Sequence, residues 1–256
     1  TTSCLAGALA AFYARIPVGH VEAGLRTHDL TAPFPEEGNR QLTDRISKWC
    51  FAPTERSANT LRLENLSDTQ IHITGNTVID ALLWMRNRLP TLPTGHSVYG
   101  TASRIVDGDQ SKILLVTGHR RESFGDGFER ICQALKEIAH AHPALTIIYP
   151  VHLNPNVQKP VYELLSDTPN IHLIPPLGYQ DFIRLMDRSH LILTDSGGIQ
   201  EEAPSLNKPT LVMRDCTERP EGIDAGVVKL VGTDPTRIIS EVSSLFSDET
   251  AYAKMS

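Results

Sequence analysis

Carboxylates and an imidazole stand near predicted strand ends and a helix start at separate points in the chain, and side chains of these types can move protons. Glu22 lies in HVEAGLRT, directly after a predicted strand at 18–21, and Glu36 lies in PFPEEGNR, at the front of a helical pattern. His119 and Arg120 follow an apolar run, in TGHRRESFG. Imidazole and carboxylate groups exchange protons, and a guanidinium matches the geometry of a phosphate. The pattern indicates acid–base chemistry beside an anionic group.

Each of these residues also has a purely structural interpretation. Glu22 could be a solvated loop acid that pairs with Arg26. Glu36 could be held only by the dipole at a helix N-terminus, with Arg40 pairing one turn later. The charged cluster 119–122 could pair within itself on the surface.

The stretch LILTDSGGIQEE, residues 191–202, predicts a buried strand, a tight turn and a helix start. Ser196, Gly197 and Gly198 form the turn, whose main-chain N–H groups and helix dipole would favour a phosphate. Glu202, one helical turn later, could accept hydrogen bonds from ribose hydroxyls. The alternative is a plain connection between a strand and a helix.

Two further motifs follow predicted strands. In YPVHLNPNV, His152 is either a ligand contact or a helix-entry residue with Asn154 as the cap. MRDCTERPEG contributes Arg219, either to a ligand or to a structural cluster of salt bridges with neighbours such as Glu218.

Apolar runs alternate with helical patterns along the whole chain, which is typical of parallel α/β architecture. Strands are predicted at 18–21, 49–52, 71–74, 113–117, 145–149, 171–174, 191–194, 210–213 and 227–231. Helices are predicted at 1–14, 40–47, 55–64, 78–88, 127–141, 155–166, 179–188, 199–206 and 235–246. Pro204 fits poorly inside the eighth of these helices because an interior proline removes a hydrogen bond.

The segment between Leu89 and Ser111 breaks this alternation, since it is polar and rich in Pro, Gly and Ser. We predict the C-terminal part of an N-terminal Rossmann-like domain at 1–75, a crossover helix and loop at 76–111, and a C-terminal Rossmann-like domain at 112–256, which would bind the nucleotide.

Composition and the absence of certain motifs argue against several classes of protein. The 256 residues are 40% hydrophobic and 21% charged, with a formal net charge of −6, which argues against a nucleic-acid-binding surface. No apolar run approaches the roughly 18 residues that cross a bilayer. The four cysteines are scattered, and the chain contains neither G-x-x-x-x-G-K-[ST] nor G-x-G-x-x-G. We predict a cytoplasmic protein, in which a zinc knuckle and dinucleotide redox chemistry have no support from the sequence.

Five motifs, HVEAGLRT, PFPEEGNR, TGHRRESFG, YPVHLNPNV and TDSGGIQEEAPSLNKP, occur in an order that resembles the bacterial non-hydrolysing UDP-N-acetylglucosamine 2-epimerases. The resemblance implies a GT-B-like fold with the substrate in an interdomain cleft, and a homodimer. It implies interconversion of UDP-GlcNAc and UDP-ManNAc for cell-envelope polysaccharides, without a metal or nicotinamide cofactor. UDP would be eliminated to give 2-acetamidoglucal and then added back.

The resemblance also implies roles for individual residues. Glu22 and Glu36 would be catalytic carboxylates, with the choice of proton-abstracting base left open, and His119 would handle the diphosphate or a proton. The substrate-binding residues would be Ser196, Gly197 and Gly198 at the diphosphate, Glu202 at the ribose, Leu177 and Phe182 at the uracil, and Arg219 at the phosphates or the sugar. Arg120, His152 and Glu36 would lie near a second UDP-GlcNAc that acts as an activator.

One departure from the family pattern concerns its His-Gly-Asp-Thr-Thr motif, because the chain opens at Thr1-Thr2. We therefore expect a fragment that lacks an N-terminal part and the C-terminal end and is inactive by itself. Turnover of UDP-GlcNAc by the 256 residues alone would refute this. A hydrolysing epimerase, a GT-B glycosyltransferase and a non-enzymatic UDP-sugar-binding module are the alternative functions.

Overall fold

A computed structural model describes residues 1–89 and 112–256, and these residues form two compact units. Unit 1 comprises residues 1–80 with 216–219, and unit 2 comprises residues 81–215 with 220–256. The predicted polar connector lies outside the described residues, apart from Leu89 at its start.

Unit 1 is built on a parallel sheet with the strand order β1-β2-β3. Its strands are β1 (Gly19–Val21), β2 (Trp49–Ala52) and β3 (Ile71–Ile73). Its helices are α1 (Thr2–Tyr13), α2 (Glu36–Ile46) and α3 (Glu55–Leu63), and α4 (Thr77–Arg88) continues into unit 2. Its core combines small and aliphatic side chains, with Cys50 and Ala52 of β2 buried together with Ala58 and Leu61 of α3.

Unit 2 contains a parallel sheet with the strand order β6-β5-β4-β7-β8-β9. Its strands are β4 (Lys112–Thr117), β5 (Leu145–Pro150), β6 (Ile171–Ile174), β7 (Leu191–Thr194), β8 (Thr210–Val212) and β9 (Val228–Leu230). Its further helices are α5 (Asp126–Ala141), α6 (Pro155–Leu165), α7 (Tyr179–Arg188), α8 (Ile199–Glu202), α9 (Glu221–Asp224), α10 (Pro235–Ser247) and α11 (Glu249–Met255). The predicted α/β class with parallel sheets is confirmed.

Hydrophobic cores cover both faces of the unit 2 sheet. Along β4, Leu114 and Val116 join one core with α5, α6 and α10, whereas Ile113 and Leu115 join the other with α4, α7 and α8. Successive strand residues point to opposite faces, so a strand buried on both faces needs a continuous apolar run. Strand β7, LILT, is buried at every position, and its first three residues are accordingly apolar.

The predicted helix 199–206 is wrong as a single element. The α-helix ends at Glu202, and a short 3₁₀ turn, Pro204–Leu206, follows it. Pro204 has no N–H to donate and therefore cannot continue the α-helical hydrogen bonds. Helix α2 begins at Glu36, earlier than the predicted residue 40, and helices α9 and α11 were not predicted.

The unit 2 sheet reverses its winding direction between β4 and β7. These neighbours are not consecutive in sequence, and their last residues, Thr117 and Thr194, are paired in register. In open α/β sheets, ligands bind beyond the carboxyl ends of the strands at such a switch point. The fold therefore places a candidate site just after Thr117 and Thr194.

Among the helices of the two described ranges, none is long and apolar enough to cross a membrane.

Candidate functional site

The chain segments that leave β4 and β7 are tied together by one buried carboxylate. Asp195 follows β7 and is fully buried. Its Oδ2 accepts hydrogen bonds from the main-chain N–H groups of His119, at 2.7 Å, and Arg120, at 2.8 Å. The His119 loop is thereby fixed beside the start of the Ser196 turn, within unit 2.

The imidazole of His119 lies between an acidic and a basic neighbour. Its Nδ1 is 3.4 Å from Oδ1 of Asp195, and its ring stacks on that of His152 with the ring centroids 5.2 Å apart. Burial lowers the pKa of His119, and His152 and Arg120 lower it further, while Asp195 opposes them. A histidine with a depressed pKa can be neutral near neutral pH and so accept a proton.

The two interpretations of His152 are compatible in geometry. Its Nδ1 accepts a hydrogen bond from the main chain of Asn154 at 3.1 Å, and the Asn154 side chain caps α6 by accepting from Asn156 at 3.0 Å. His152 is therefore a helix-entry residue whose ring also contacts His119.

The turn Ser196-Gly197-Gly198 leaves main-chain donors available. The N–H of Ser196 donates to Oγ1 of Thr194 at 2.9 Å, whereas the N–H groups of Gly197 and Gly198 bond to no acceptor in the described part of the chain. A Cβ atom on Gly198 would lie 3.5 Å from Oε2 of Glu202, so the carboxylate lies close to the turn. Such a turn offers donors to an anion and a nearby acceptor for hydroxyl groups.

Glu202 and its surroundings are largely shielded from water. Burial raises the pKa of Glu202, and the Glu201 carboxylate raises it further. Leu177 and Phe182 are half-buried and pack against the same core as Ile199, the first residue of α8. The structure thus brings the predicted diphosphate, ribose and uracil residues to neighbouring elements of unit 2.

Arg120 adds positive charge to this edge of the sheet. Its Nε is buried and has no hydrogen-bond partner within residues 1–89 and 112–256. A buried donor without a partner is costly, so Nε is suited to an acceptor that arrives from outside the chain.

In unit 1, Glu22 lies in a tightly held left-handed turn. Its φ is +65°, its side chain is 41% exposed, and the next two N–H groups bond to the carbonyl of Phe51 and to Oδ2 of Asp44. At Gly24 φ is +82°, and a Cβ would lie 2.2 Å from the Ser57 carbonyl oxygen. The turn therefore requires glycine there and holds the Glu22 backbone in place.

Arg219 belongs to a chain of charges in unit 1. Its guanidinium lies 3.2 Å from Oε1 of Glu22 and 2.5 Å from Oε1 of Glu218. Arg40 also pairs with Glu218, at 3.2 Å, rather than along its own helix as the structural interpretation of Glu36 supposed. The salt-bridge cluster considered for Arg219 is present, and this cluster contacts the candidate catalytic carboxylate.

The two adjacent acids of α2 have different environments. The carboxylate of Glu37 is buried and accepts main-chain hydrogen bonds from Thr27 at 3.0 Å and His28 at 3.1 Å. Glu36, the first residue of α2, is half-exposed. Glu37 is therefore a structural acid, and Glu36 is the one accessible to a ligand.

Comparison with known proteins decides the family. The family model for UDP-N-acetylglucosamine 2-epimerase matches residues 1–256. An Escherichia coli O157:H7 UDP-N-acetylglucosamine 2-epimerase is 58% identical over 256 residues, which are 100% of this chain and 68% of that protein. The chain belongs to the UDP-N-acetylglucosamine 2-epimerase family. Its relatives are isomerases by name.

Solved members of the epimerase family share the fold. The Neisseria meningitidis enzyme, crystallised with UDP-GlcNAc, is 49% identical with a TM-score of 0.93, over 100% of this chain and 68% of that one. The Staphylococcus aureus protein MnaA, in a co-structure with UDP, is 41% identical with a TM-score of 0.91, over 100% and 66%. The predicted GT-B-like fold class is confirmed by these structures.

Two buried carboxylates of this epimerase-family chain were missed from the sequence. Asp44 accepts from Gly24, binds Arg26 at 2.7 Å and lies 2.5 Å from His20. The considered pairing of Arg26 with Glu22 is wrong, because Arg26 pairs with Asp44 and Glu64. In the sequence, Asp44 looks like an ordinary polar residue of a helix, and no nearby residue pattern indicates which side chains it contacts.

The second missed carboxylate, Asp195, did carry a signal. It directly follows the predicted strand LILT, and a polar residue at the end of a strand often serves a ligand site.

In the described ranges, no group of three or more His, Cys, Asp or Glu side chains is arranged to hold a metal ion.

Proposed function

We propose that unit 2 binds the UDP portion of UDP-N-acetylglucosamine at the carboxyl ends of β4 and β7. One observation carries the proposal: the N–H groups of Gly197 and Gly198, which bond to no acceptor among the described residues, stand at the sheet's switch point, where Asp195 also fixes His119 and Arg120. Main-chain donors, an imidazole and a guanidinium together suit a diphosphate, which carries charge over several oxygens.

The rest of the nucleotide is matched by neighbouring side chains. Ser196, with the two glycines, would hold the diphosphate, and the Glu202 carboxylate would accept from the ribose hydroxyls. The half-buried Leu177 and Phe182 would flank the uracil, since an aromatic and an aliphatic side chain suit a flat base.

A second nucleotide sugar would bind beside the His119 loop as an activator. The proposal rests on Arg120, whose Nε is buried without a partner in the described residues, and on His152, which stacks on His119. Occupation of this second position would act directly on the imidazole that the reaction uses.

The reaction we propose is elimination followed by re-addition. A carboxylate takes the C2 proton of UDP-GlcNAc while the C1–O bond breaks, which gives UDP and 2-acetamidoglucal. A second acid then delivers a proton to the opposite face of C2, and the β-phosphate oxygen re-forms the bond to C1. Glu22 and Glu36 are the proposed proton carriers, because two differently placed acid–base groups are needed.

His119 and Arg219 would stabilise the charge that develops during elimination. The departing diphosphate gains negative charge, so a guanidinium and an imidazole N–H aimed at it lower the barrier. Arg219, which already contacts Glu22, would contact the phosphates or the sugar and hold the carboxylate in place.

Incubation with UDP-GlcNAc in heavy water tests this proposal. The chain spans 68% of the E. coli relative, so the gene product is assayed at its natural length. We expect UDP-ManNAc, with deuterium at C2 in both recovered nucleotide sugars, and no incorporation in a protein-free control. Free N-acetylmannosamine with UDP would indicate a hydrolase instead, and absence of exchange would indicate a transferase or a binding module.

Other proposals rest on the sequence pattern and on the family resemblance. They are a cytoplasmic homodimer, a role in cell-envelope polysaccharide synthesis, and domains at 1–75 and 112–256 joined by 76–111. Sedimentation analysis of the purified gene product tests the dimer.

A further inference from the structure

Asp195 is a buried carboxylate that none of the proposed ligand contacts uses. It directly follows β7, and its own N–H donates to the carbonyl of Thr117 at the end of β4, at 3.1 Å. The side chain is fully buried at the switch point of the unit 2 sheet. A buried carboxylate is costly unless hydrogen bonds or an opposite charge compensate it.

The two oxygens of Asp195 have different surroundings. Oδ2 accepts the N–H groups of His119 and Arg120 and so fixes the backbone of the loop. Oδ1 is buried and forms no hydrogen bond within the described residues, and the Nδ1 atom of His119 lies 3.4 Å from it. That separation is within ion-pair range but longer than a hydrogen bond, so the contact can tighten when the ring becomes charged.

Among the described residues, the charged or titratable groups that act on the His119 imidazole are Asp195, His152 and Arg120. Asp195 is the acidic one, and the other two disfavour a positive charge on the ring. A carboxylate at Nδ1 favours the tautomer with its proton on Nδ1 and leaves Nε2 to exchange protons with a ligand.

We propose that Asp195 is the positioning residue of His119: one oxygen fixes the loop backbone, and the other orients the imidazole and stabilises its charged form. The proposal rests on the proposed function only in taking His119 as a residue that acts on the substrate. The contacts with Asp195 are independent of that role.

Two substitutions test the roles of the two Asp195 oxygens separately. In Asp195→Asn the amide oxygen can still accept the two loop N–H groups, but the negative charge facing Nδ1 is lost. In Asp195→Ala both contacts are lost. Asp187→Asn is the matched control, because it removes an acid that pairs with Arg86, outside the neighbours of His119.

The direct readout is the titration of His119, followed by NMR in protein labelled at the histidine rings and assigned with His119→Gln. We expect Asp195→Asn to lower the pKa of His119, because the acidic neighbour is gone, and Asp187→Asn to leave the titration unchanged. An unchanged His119 titration in folded Asp195→Asn protein would overturn the proposal.

The activity readout is the pH profile of epimerisation. For Asp195→Asn we expect kcat to fall about 10- to 100-fold, with KM nearly constant and the profile limb that belongs to His119 moved to lower pH. A merely structural residue would lower activity at every pH without moving that limb. A moved titration with unchanged activity would instead reject His119 as a residue of the reaction, while a fixed titration with lost activity would reject the role of Asp195.

Discussion

Replacing Glu22 with Gln is expected to lower kcat/KM for UDP-GlcNAc by about 10²- to 10⁴-fold, the usual contribution of a positioned acid–base group. The amide cannot take up a proton, but its oxygen can still accept the hydrogen bonds that Asn76 and Arg219 give to Oε1. The turn should therefore persist, and UDP affinity, measured by calorimetry, should change little, because the proposed UDP contacts apart from Arg219 lie in unit 2.

The matched variant Glu36→Gln shows how the two carboxylates share the reaction. In heavy water, the variant that lacks the C2 base should neither exchange nor epimerise UDP-GlcNAc. The variant that lacks the opposite-face acid should exchange deuterium into UDP-GlcNAc without forming UDP-ManNAc. Activity within about threefold of the parent in Glu22→Gln would remove Glu22 from the mechanism.

Replacing Asp44 with Ala is expected to lower the free energy of unfolding of unit 1 by about 3–5 kcal/mol, the usual cost of breaking a buried ion pair. The change leaves the buried Arg26 with one carboxylate fewer and removes the acceptor for the Gly24 N–H. Urea denaturation followed through Trp49 fluorescence, in a Trp84→Phe background, measures the loss.

Asp68→Ala is the control for that measurement. Asp68 pairs with Arg62 on the surface of unit 1, where solvent screens both charges. We expect its denaturation midpoint to stay close to that of the parent. Equal midpoints for Asp44→Ala and Asp68→Ala would show that the buried network does not stabilise the Glu22 turn.

The local sequence pattern predicted those helices and strands whose own residues show an apolar run or an apolar period. The first three residues of the strand Leu191–Thr194 are apolar because both of its faces are buried, and helix Tyr179–Arg188 has an apolar stripe that faces the core. The short helix Glu221–Asp224 escaped prediction because a single turn has no apolar period to detect. Pro204 was recognised as a misfit, yet the place of the break became clear only in the structure.

Ligand-facing residues were easier to predict than the residues that support them. Ser196, Gly198 and His119 stand at strand ends, which one rule about parallel sheets identifies. Asp44 and Asp195 act on partners that lie far away in the sequence, 20 residues for the Gly24 N–H and 76 for the His119 N–H. Such pairs depend on which strands become neighbours, and the order of strands is a property of the whole sheet.

Binding of UDP to the turn after β7 is the central claim, and NMR of protein labelled with ¹⁵N-glycine tests it most directly. Uridine and UDP are titrated separately, with Gly232, after the end of the outermost strand β9, as the internal control. We predict that UDP shifts the amide resonances of Gly197 and Gly198 downfield and slows their exchange, that uridine does so far less, and that Gly232 does not move. Saturation with UDP that leaves Gly197 and Gly198 unchanged would contradict the claim.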